Sequence, residues 1–327
     1  MKSLGKHINY LARVIPAYLF RHNSQLAFWH EEPKMSDDFC RDKIGAYYMD
    51  FIQKAHYDVH LDLEGIPLLD YKGSIGKQYN PIAIAQFGLG NYNLFIRTNE
   101  EKYKRNFLKA ADWLVKNLEQ NKQGVWVWMH CFDWEYQETL KNPWYSGLAQ
   151  GQGISLLARA FSITQNDKYQ DAMFNAYGDF EKDATQGGVM YWDEKGFPWI
   201  EEYIVSKPTH ILNGFIWALW GIHDYYLMTH KDEVKVFWNQ CLKTVEINLE
   251  RYDVGYWSLY DLSPTKIKNR TSLFYHKLHV VQLKILYQLS GVDVFIDYNN
   301  RWNRYLNNAV NRWRAFCDKV IFKLYYF

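Results

Sequence analysis

The fold is decided by residues 210–226, HILNGFIWALWGIHDYY. Apolar positions cover most of its helical circumference rather than one stripe, the pattern of a helix buried on all sides. Gly214 and Gly221 inside it would each cost roughly 1 kcal/mol against Ala in a helix interior, so another helix or a ligand is expected to approach closely there. Three further stretches share this character: YNPIAIAQFGLGNYNLF (79–95), WYSGLAQGQGISLLARAF (144–161) and YHKLHVVQLKILYQLSG (275–291). In chain order the four stretches start 65, 66 and 65 residues apart.

Each is followed by a more polar, amphipathic segment, at 101–120, 168–183, 232–250 and 297–313. Apolar residues recur there at helical spacing, as in Phe107, Ala110, Ala111, Leu114 and Leu118. Glycine-containing aromatic stretches follow the first three: QGVWVWMH (123–130), GGVMYW (187–192) and YDVGYWSLYDL (252–262), which read as short strands or hairpins. No such unit can bury its apolar face alone, so the units must pack on one another. The prediction is a mainly all-α chain, an α/α barrel (toroid) of about four helix-pair repeats with short β-hairpins in its loops. An open solenoid is the alternative closure. Residues 76–327 form the expected catalytic barrel domain. Residues 1–75 fall outside the repeat and read as an N-terminal arm and an extended capping segment. Loops running from outer to inner helices crowd onto one end of the ring. Asp133–Tyr136, Glu201–Tyr203 and Tyr252–Asp261 lie in such loops, so the site is expected there.

Among 327 residues, 18% are aromatic, with 14 Trp and 26 Tyr. That exceeds the needs of a core and suits a cleft whose flat, half-polar rings stack on sugars. A formal net charge of +2 argues against nucleic acid as a partner but leaves room for an acidic polysaccharide held by local Lys and Arg. Cys40, Cys131, Cys241 and Cys317 are widely spaced and read as free thiols. No metal-ligand spacing or phosphate loop is present, so neither a metal nor an organic cofactor is expected. The first twenty residues are basic and interrupted by Arg13 and Pro16, which fits neither a cleaved leader nor a membrane span. An amphipathic arm packed on the domain is favoured over one lying on a membrane surface, and a cytoplasmic location is expected, with peripheral membrane contact as the alternative. Asn269-Arg270-Thr271 matches a glycan acceptor pattern, in a loop that reads as part of the cleft.

Just before Pro208 stand Glu201, Glu202 and Tyr203. Two acids and a phenol at the mouth of a buried helix suit proton transfer, although each residue in isolation reads first as solvated loop or packing. Asn213, Gln150 and Gln152 lie near the starts of inner helices, where they would meet sugar hydroxyls or satisfy helix packing. Trp144, Trp199 and Trp257 would stack on sugars or fill the core.

Taken together, YNPIAIAQFGLGNY (79–92), WYSGLAQGQGISLLARAF (144–161), EEY (201–203), LNGFIWALWGIHDYY (212–226), YDVGYWSLYDL (252–262) and YHKLHVVQL (275–283) resemble the C-terminal domain of the glucuronyl C5-epimerases. The resemblance covers roughly residues 65–305 and implies an α/α barrel. It also implies conversion of D-glucuronate to L-iduronate within heparosan-like chains, and a tendency to dimerise. It places catalysis on Glu202, Tyr203, Tyr260 and Tyr275. Substrate binding is expected at Tyr79, Trp144, Tyr145, Gln150, Gln152, Glu201, His210, Asn213, Arg270, His276 and His279. Two departures stand out: Ile204 where the family usually has Pro after EEY, and Ser263 where it has Arg after YDL. Arg270 or Lys268 would have to replace that Arg. The β-barrel insertion of the animal members is absent from the short gap at about 94–100.

Inversion at carbon 5 needs a base on one face of the ring and an acid on the other. A phenol of pKa ~10 acting as base needs a cationic neighbour or hydrogen bonds to its phenolate. His210, His276, Lys277, His279 and Lys268 are the expected partners. Three other readings use the same residues: a uronate lyase sharing the enolate, a glycoside hydrolase pairing Glu202 with Asp261 or Asp133, and a sugar-binding module without catalysis.

Overall fold

The computed structural model describes residues 2–326. Twelve α-helices are present among them: α1 (Lys2–Leu19), the one-turn α2 (Leu26–Trp29) and α3 (Ile52–Ala55), α4 (Pro81–Thr98), α5 (Glu101–Lys116), α6 (Gly147–Thr164), α7 (Asp167–Tyr177), α8 (Leu212–Thr229), α9 (Asp232–Tyr252), α10 (Leu273–Ser290), α11 (Asp293–Asn307) and α12 (Ala309–Tyr326). The four apolar stretches become the inner helices α4, α6, α8 and α10, packed side by side in chain order. Their amphipathic partners α5, α7, α9 and α11 pack outside them. This is the α/α-barrel arrangement that the repeat predicts.

Helix ends follow local chemistry. Asn80 caps α4 by accepting from the amides of Ile82 at 2.9 Å and Ala83 at 3.3 Å, with Pro81 at the first turn. Each inner helix ends on a left-handed residue: Asn99, Gln165, His230 and Gly291. Inside the inner helices glycine permits backbone contact. A β-carbon on Gly151 would stand 2.4 Å from Cα of Ala218, and one on Gly90 2.2 Å from the carbonyl oxygen of Phe51.

Three boundaries differ from expectation. The second outer helix stops at Tyr177 and continues as a 3₁₀ turn through Gly178–Glu181, where glycine has little helix preference. The last predicted outer helix is two helices, broken at Asn308. That residue is extended and its side chain accepts from the amide of Val310 at 2.9 Å, so it restarts the chain as α12. The aromatic stretches give antiparallel hairpins β3–β4 (Leu118–Gln120, Trp126–Trp128) and β7–β8 (Met190–Trp192, Pro198–Ile200), flanked by smaller pairs β1–β2 (Leu69–Asp70, Lys77–Gln78) and β5–β6 (Trp134–Glu135, Thr139–Leu140). Residues 252–262 form only isolated bridges, Asp253 with Ser258 and Leu259 with Arg270.

The N-terminal stretch touches both α4 and α10. Asn93 accepts from the Tyr47 amide at 2.7 Å and donates to the Met49 carbonyl at 3.0 Å. On the other side, Lys277 pairs with Glu32 at 2.6 Å and His30 lies on Phe274. Arg13 and Ala17 of α1 are buried against the domain, while Ile8, Leu11, Ile15 and Leu19 are exposed. Among the described residues no helix is long and apolar enough to cross a membrane.

Candidate active site

The loop from β8 to α8 is held by Glu201. Its Oε2 accepts from the amides of Thr209 at 2.9 Å and His210 at 3.1 Å, and its Oε1 meets His210 Nδ1 at 2.5 Å. The His210 ring in turn stacks on Trp199 at 4.1 Å. A second loop is clamped onto the same helix start: Leu212 donates to the Tyr260 carbonyl, and Leu262 to that of Thr209. These clamps bring Glu202 and Tyr203 of one loop and Tyr260 of the other to the head of α8, with Tyr275 arriving from the first turn of α10.

All four line one hollow of about 360 Å³, with Trp144 and Asn213 from the predicted binding set. That is ample for a sugar ring in a mostly preformed cleft. Tyr203 packs against Tyr136 at 4.8 Å and edge-on to Trp144 at 5.6 Å. Tyr260 and Tyr275 meet edge to face at 5.0 Å. The hollow is completed by Tyr71, Phe132, Trp134, residues of the N-terminal stretch, and Lys319 and Lys323 of α12.

Burial governs the electrostatics. It lifts the Glu202 carboxyl to about 8, against the hydrogen bond it receives from Tyr203 and with further lift from the charges of Glu201 and Asp261. Burial, then the charge of Glu202, holds the phenols of Tyr203, Tyr260 and Tyr275 above their ordinary value. Near neutral pH Glu202 therefore still holds its proton in most molecules and becomes a proton acceptor as the pH rises towards 8, beside several phenols that hold theirs.

The remaining predicted contacts fall elsewhere. Tyr79 faces a separate shallow hollow and donates to Asp62 at 2.7 Å. Tyr145 is half-buried off the cavity, raised by burial and by the charge of Asp179. Gln150 serves backbone groups, accepting from the Trp128 amide and donating to the carbonyls of Trp126 and Ala176. Gln152 accepts from Gln86 at 3.0 Å beneath the hollow. Glu201 and His210 are consumed in holding their loop. Arg270 faces Asp318 at 3.4 Å. His276 is stacked on Trp257 at 3.7 Å and bonded to Ser258 and the Trp302 carbonyl, and burial lowers it to about 4. His279 sits beside the same Ser258, also lowered by burial. The expected cationic partners of a phenolate are therefore elsewhere: Lys277 is spent on Glu32, and Lys268 donates to the Ser263 carbonyl at 3.2 Å. Trp199 and Trp257 are core residues. Asn269 of the glycan pattern is buried, donating to Asp261 and accepting from Lys319, both at 2.7 Å.

Two features escaped sequence reasoning. Tyr136 donates to Asp261 at 3.0 Å beneath the rim loops, a partnership that the position of its loop does not announce. The terminal helices supply Arg13, Lys319 and Lys323 to the wall, and no repeat period announces them.

Residues 120–304 match the family model described as the D-glucuronyl C5-epimerase C-terminus. The chain belongs to the D-glucuronyl C5-epimerase family. A D-glucuronyl C5-epimerase of Caenorhabditis elegans is 26% identical over 89% of this chain and 53% of its own length. The chain thus spans about half the length of that epimerase relative. An uncharacterized protein of Methanocaldococcus jannaschii is also 26% identical, over 62% of this chain and 67% of its own. Among solved structures, an α-1,6-mannanase from Salegentibacter superposes with a TM-score of 0.53 at 13% identity, covering 79% of this chain and 68% of that one. A D-mannose isomerase does so with a TM-score of 0.53 at 12% identity, covering 77% and 66%. At such identity these two share the barrel of the epimerase-family chain, and only the barrel.

Proposed function

We propose that this chain inverts carbon 5 of D-glucuronate residues in a heparosan-like polysaccharide, giving L-iduronate. The observation that carries the reading is the meeting of Glu202 and Tyr203 with the Tyr260–Tyr275 pair in one hollow. The proton at carbon 5 is acidified by the adjacent carboxylate. Glu202, buried beside Tyr203, is the base candidate on one wall. A phenol of the Tyr260–Tyr275 pair returns a proton from the other. Trp144 and Asn213 offer a stacking face and an amide to the ring.

The hydrolase reading is less well supported. Asp133 is exposed and tied to Lys141, while Asp261 is buried under Tyr136 and Asn269; neither lines the hollow with Glu202. A lyase would share the enolate, and an unsaturated product absorbing in the ultraviolet distinguishes it. The direct test is deuterium incorporation at carbon 5 of heparosan in heavy water, read by proton NMR with chain length unchanged. Tyr203→Phe and Tyr275→Phe are each expected to lower exchange by about 10²–10⁴-fold in folded protein. Exchange surviving both changes overturns the assignment.

A further inference from the structure

Helices α1 and α12 lie outside the matched residues 120–304, yet both reach the wall of the hollow. Lys319 places its Nζ 5.7 Å from the centre of the Tyr260 ring and donates to Asn269 Oδ1 at 2.7 Å. The other end of that amide donates to Asp261 Oδ2, also at 2.7 Å. Asp261, the acid of the YDL motif, therefore does not line the hollow itself. It fixes the amide that fixes the ammonium. From the opposite helix Arg13 lies over the Trp134 ring at 4.4 Å, buried, with Tyr71, the carboxylate of Glu135 and Tyr203 near it. Lys323 lies one turn beyond Lys319 and over Tyr10 of α1 at 5.2 Å. Arg13, Lys319 and Lys323 thus converge on the wall that also carries the phenols, three basic groups with the carboxylate of Glu135 beside Arg13.

Like charges gathered at a partly buried wall repel one another, and an anion between them relieves that cost. Burial is the main cause that brings Lys323 down to about 7, with the charges of Lys319 and Arg13 adding to it, and burial likewise brings Lys319 down to about 8 against the charge of Asp261. Ser263 leaves the YDL loop without a guanidinium after its Leu262, and Lys268 and Arg270 turn to other partners.

We infer that Arg13, Lys319 and Lys323 form the subsite for the carboxylate of the target uronate, with Lys319 the principal contact and Asn269 its positioning residue. The two terminal helices then complete the active site, supplying charge that stabilises the enolate as it forms beside Tyr260. The inference rests on the uronate reading above, but its test reads binding rather than exchange.

The probes are a heparosan oligosaccharide and its carboxyl-reduced counterpart, titrated into the full chain at fixed salt. Wild type is expected to prefer the carboxylate form by at least about tenfold, since hydrogen bonds to charged groups contribute ~1.5–3 kcal/mol. Lys319→Gln is expected to remove most of that preference without weakening the reduced form. Lys319→Arg should keep it, and Asn269→Ala should lower it in part. If Lys319→Gln fails to fold, Arg13→Gln and Lys323→Gln read the same ratio. No preference in wild type, or an unchanged preference in the folded glutamine variants, overturns the subsite. Loss of preference in a protein that never exchanges carbon 5 would keep the subsite and reject the epimerase reading.

Discussion

Gly214 is the floor on which Glu202 rests: a β-carbon built there would stand 2.3 Å from Oε2 and 2.8 Å from Cβ of that residue. The glycine sits in the first turn of α8, so the carboxylate is pressed against the head of a buried helix. A side chain at 214 cannot coexist with this placement. Gly214→Ala is expected to push Glu202 out of line and lower carbon 5 exchange by about 10²-fold, because small misplacements of a proton-transfer group are costly. Circular dichroism should show a folded protein, and Glu202→Gln should be at least as inactive. Exchange at the wild-type rate in Gly214→Ala would remove Glu202 from the base role.

The elevated Glu202 carboxyl makes a prediction about pH. A base must be ionised, so exchange should rise with pH through an apparent value near 8 and level off above it. The same group affects stability with a definite sign. Its pKa is raised on folding, from an ordinary value near 4.5 to about 8, so the native state holds the proton more tightly. Relative to Glu202→Gln, wild type should be at its best below about pH 4.5 and lose stability as pH rises towards 8. Urea midpoints of both proteins at pH 5 and 8.5 check this. A constant difference between them would show that Glu202 is not buried as described.

The barrel could be read from the chain because each inner helix is apolar over most of its circumference and recurs at a nearly constant period, as in 144–161 and 210–226. The EEY and YDL loops could be read because they precede such helices. Gln150, His276 and His279 look like ligand groups for a related reason: they are polar residues at the cleft end of buried helices. In the fold they satisfy the Trp126 and Trp128 backbone and Ser258, a demand that only tertiary structure creates. Lys319 lay hidden for the opposite reason. Its helix has no counterpart in the repeat, and its nearness to Tyr260 depends on how α12 folds back after Asn308.

The glycines of the inner helices make a graded stability test. A β-carbon on Gly221 would stand 2.3 Å from the Gly151 carbonyl oxygen, and one on Gly151 2.9 Å from that of Trp217. These neighbours are backbone and cannot turn aside. Gly221→Ala is expected to lose about 1–3 kcal/mol despite alanine's better helix propensity. Gly178, just past α7, has right-handed helical angles and no atom near its would-be β-carbon. Gly178→Ala is expected to be neutral or to gain up to about 1 kcal/mol by restricting the unfolded chain. Urea denaturation at pH 7 ranks them, and a Gly221→Ala protein as stable as wild type would mean that α6 and α8 are not in backbone contact.

At the other end of the inner helices, Arg159 of α6 and Asp224 of α8 form a fully buried two-pronged pair, with contacts of 2.7 and 3.3 Å. Arg159 also donates to the Gly45 carbonyl at 3.1 Å, and Tyr48 donates to Asp224 at 2.7 Å. The pair thus ties the N-terminal stretch to two inner helices. Replacing one member strands a charge in the core, so Asp224→Asn is expected to lose about 3–5 kcal/mol. Tyr48→Phe leaves the pair intact and should lose only about 1–3 kcal/mol. Arg159→Met with Asp224→Leu removes both charges at once, and should unfold at a higher urea concentration than Asp224→Asn alone. Neither residue lines the hollow, so the folded fraction of each variant should exchange carbon 5 at the wild-type rate. A loss of exchange in fully folded Tyr48→Phe would instead mean that the N-terminal stretch holds the catalytic wall in place, coupling this end of the barrel to the site.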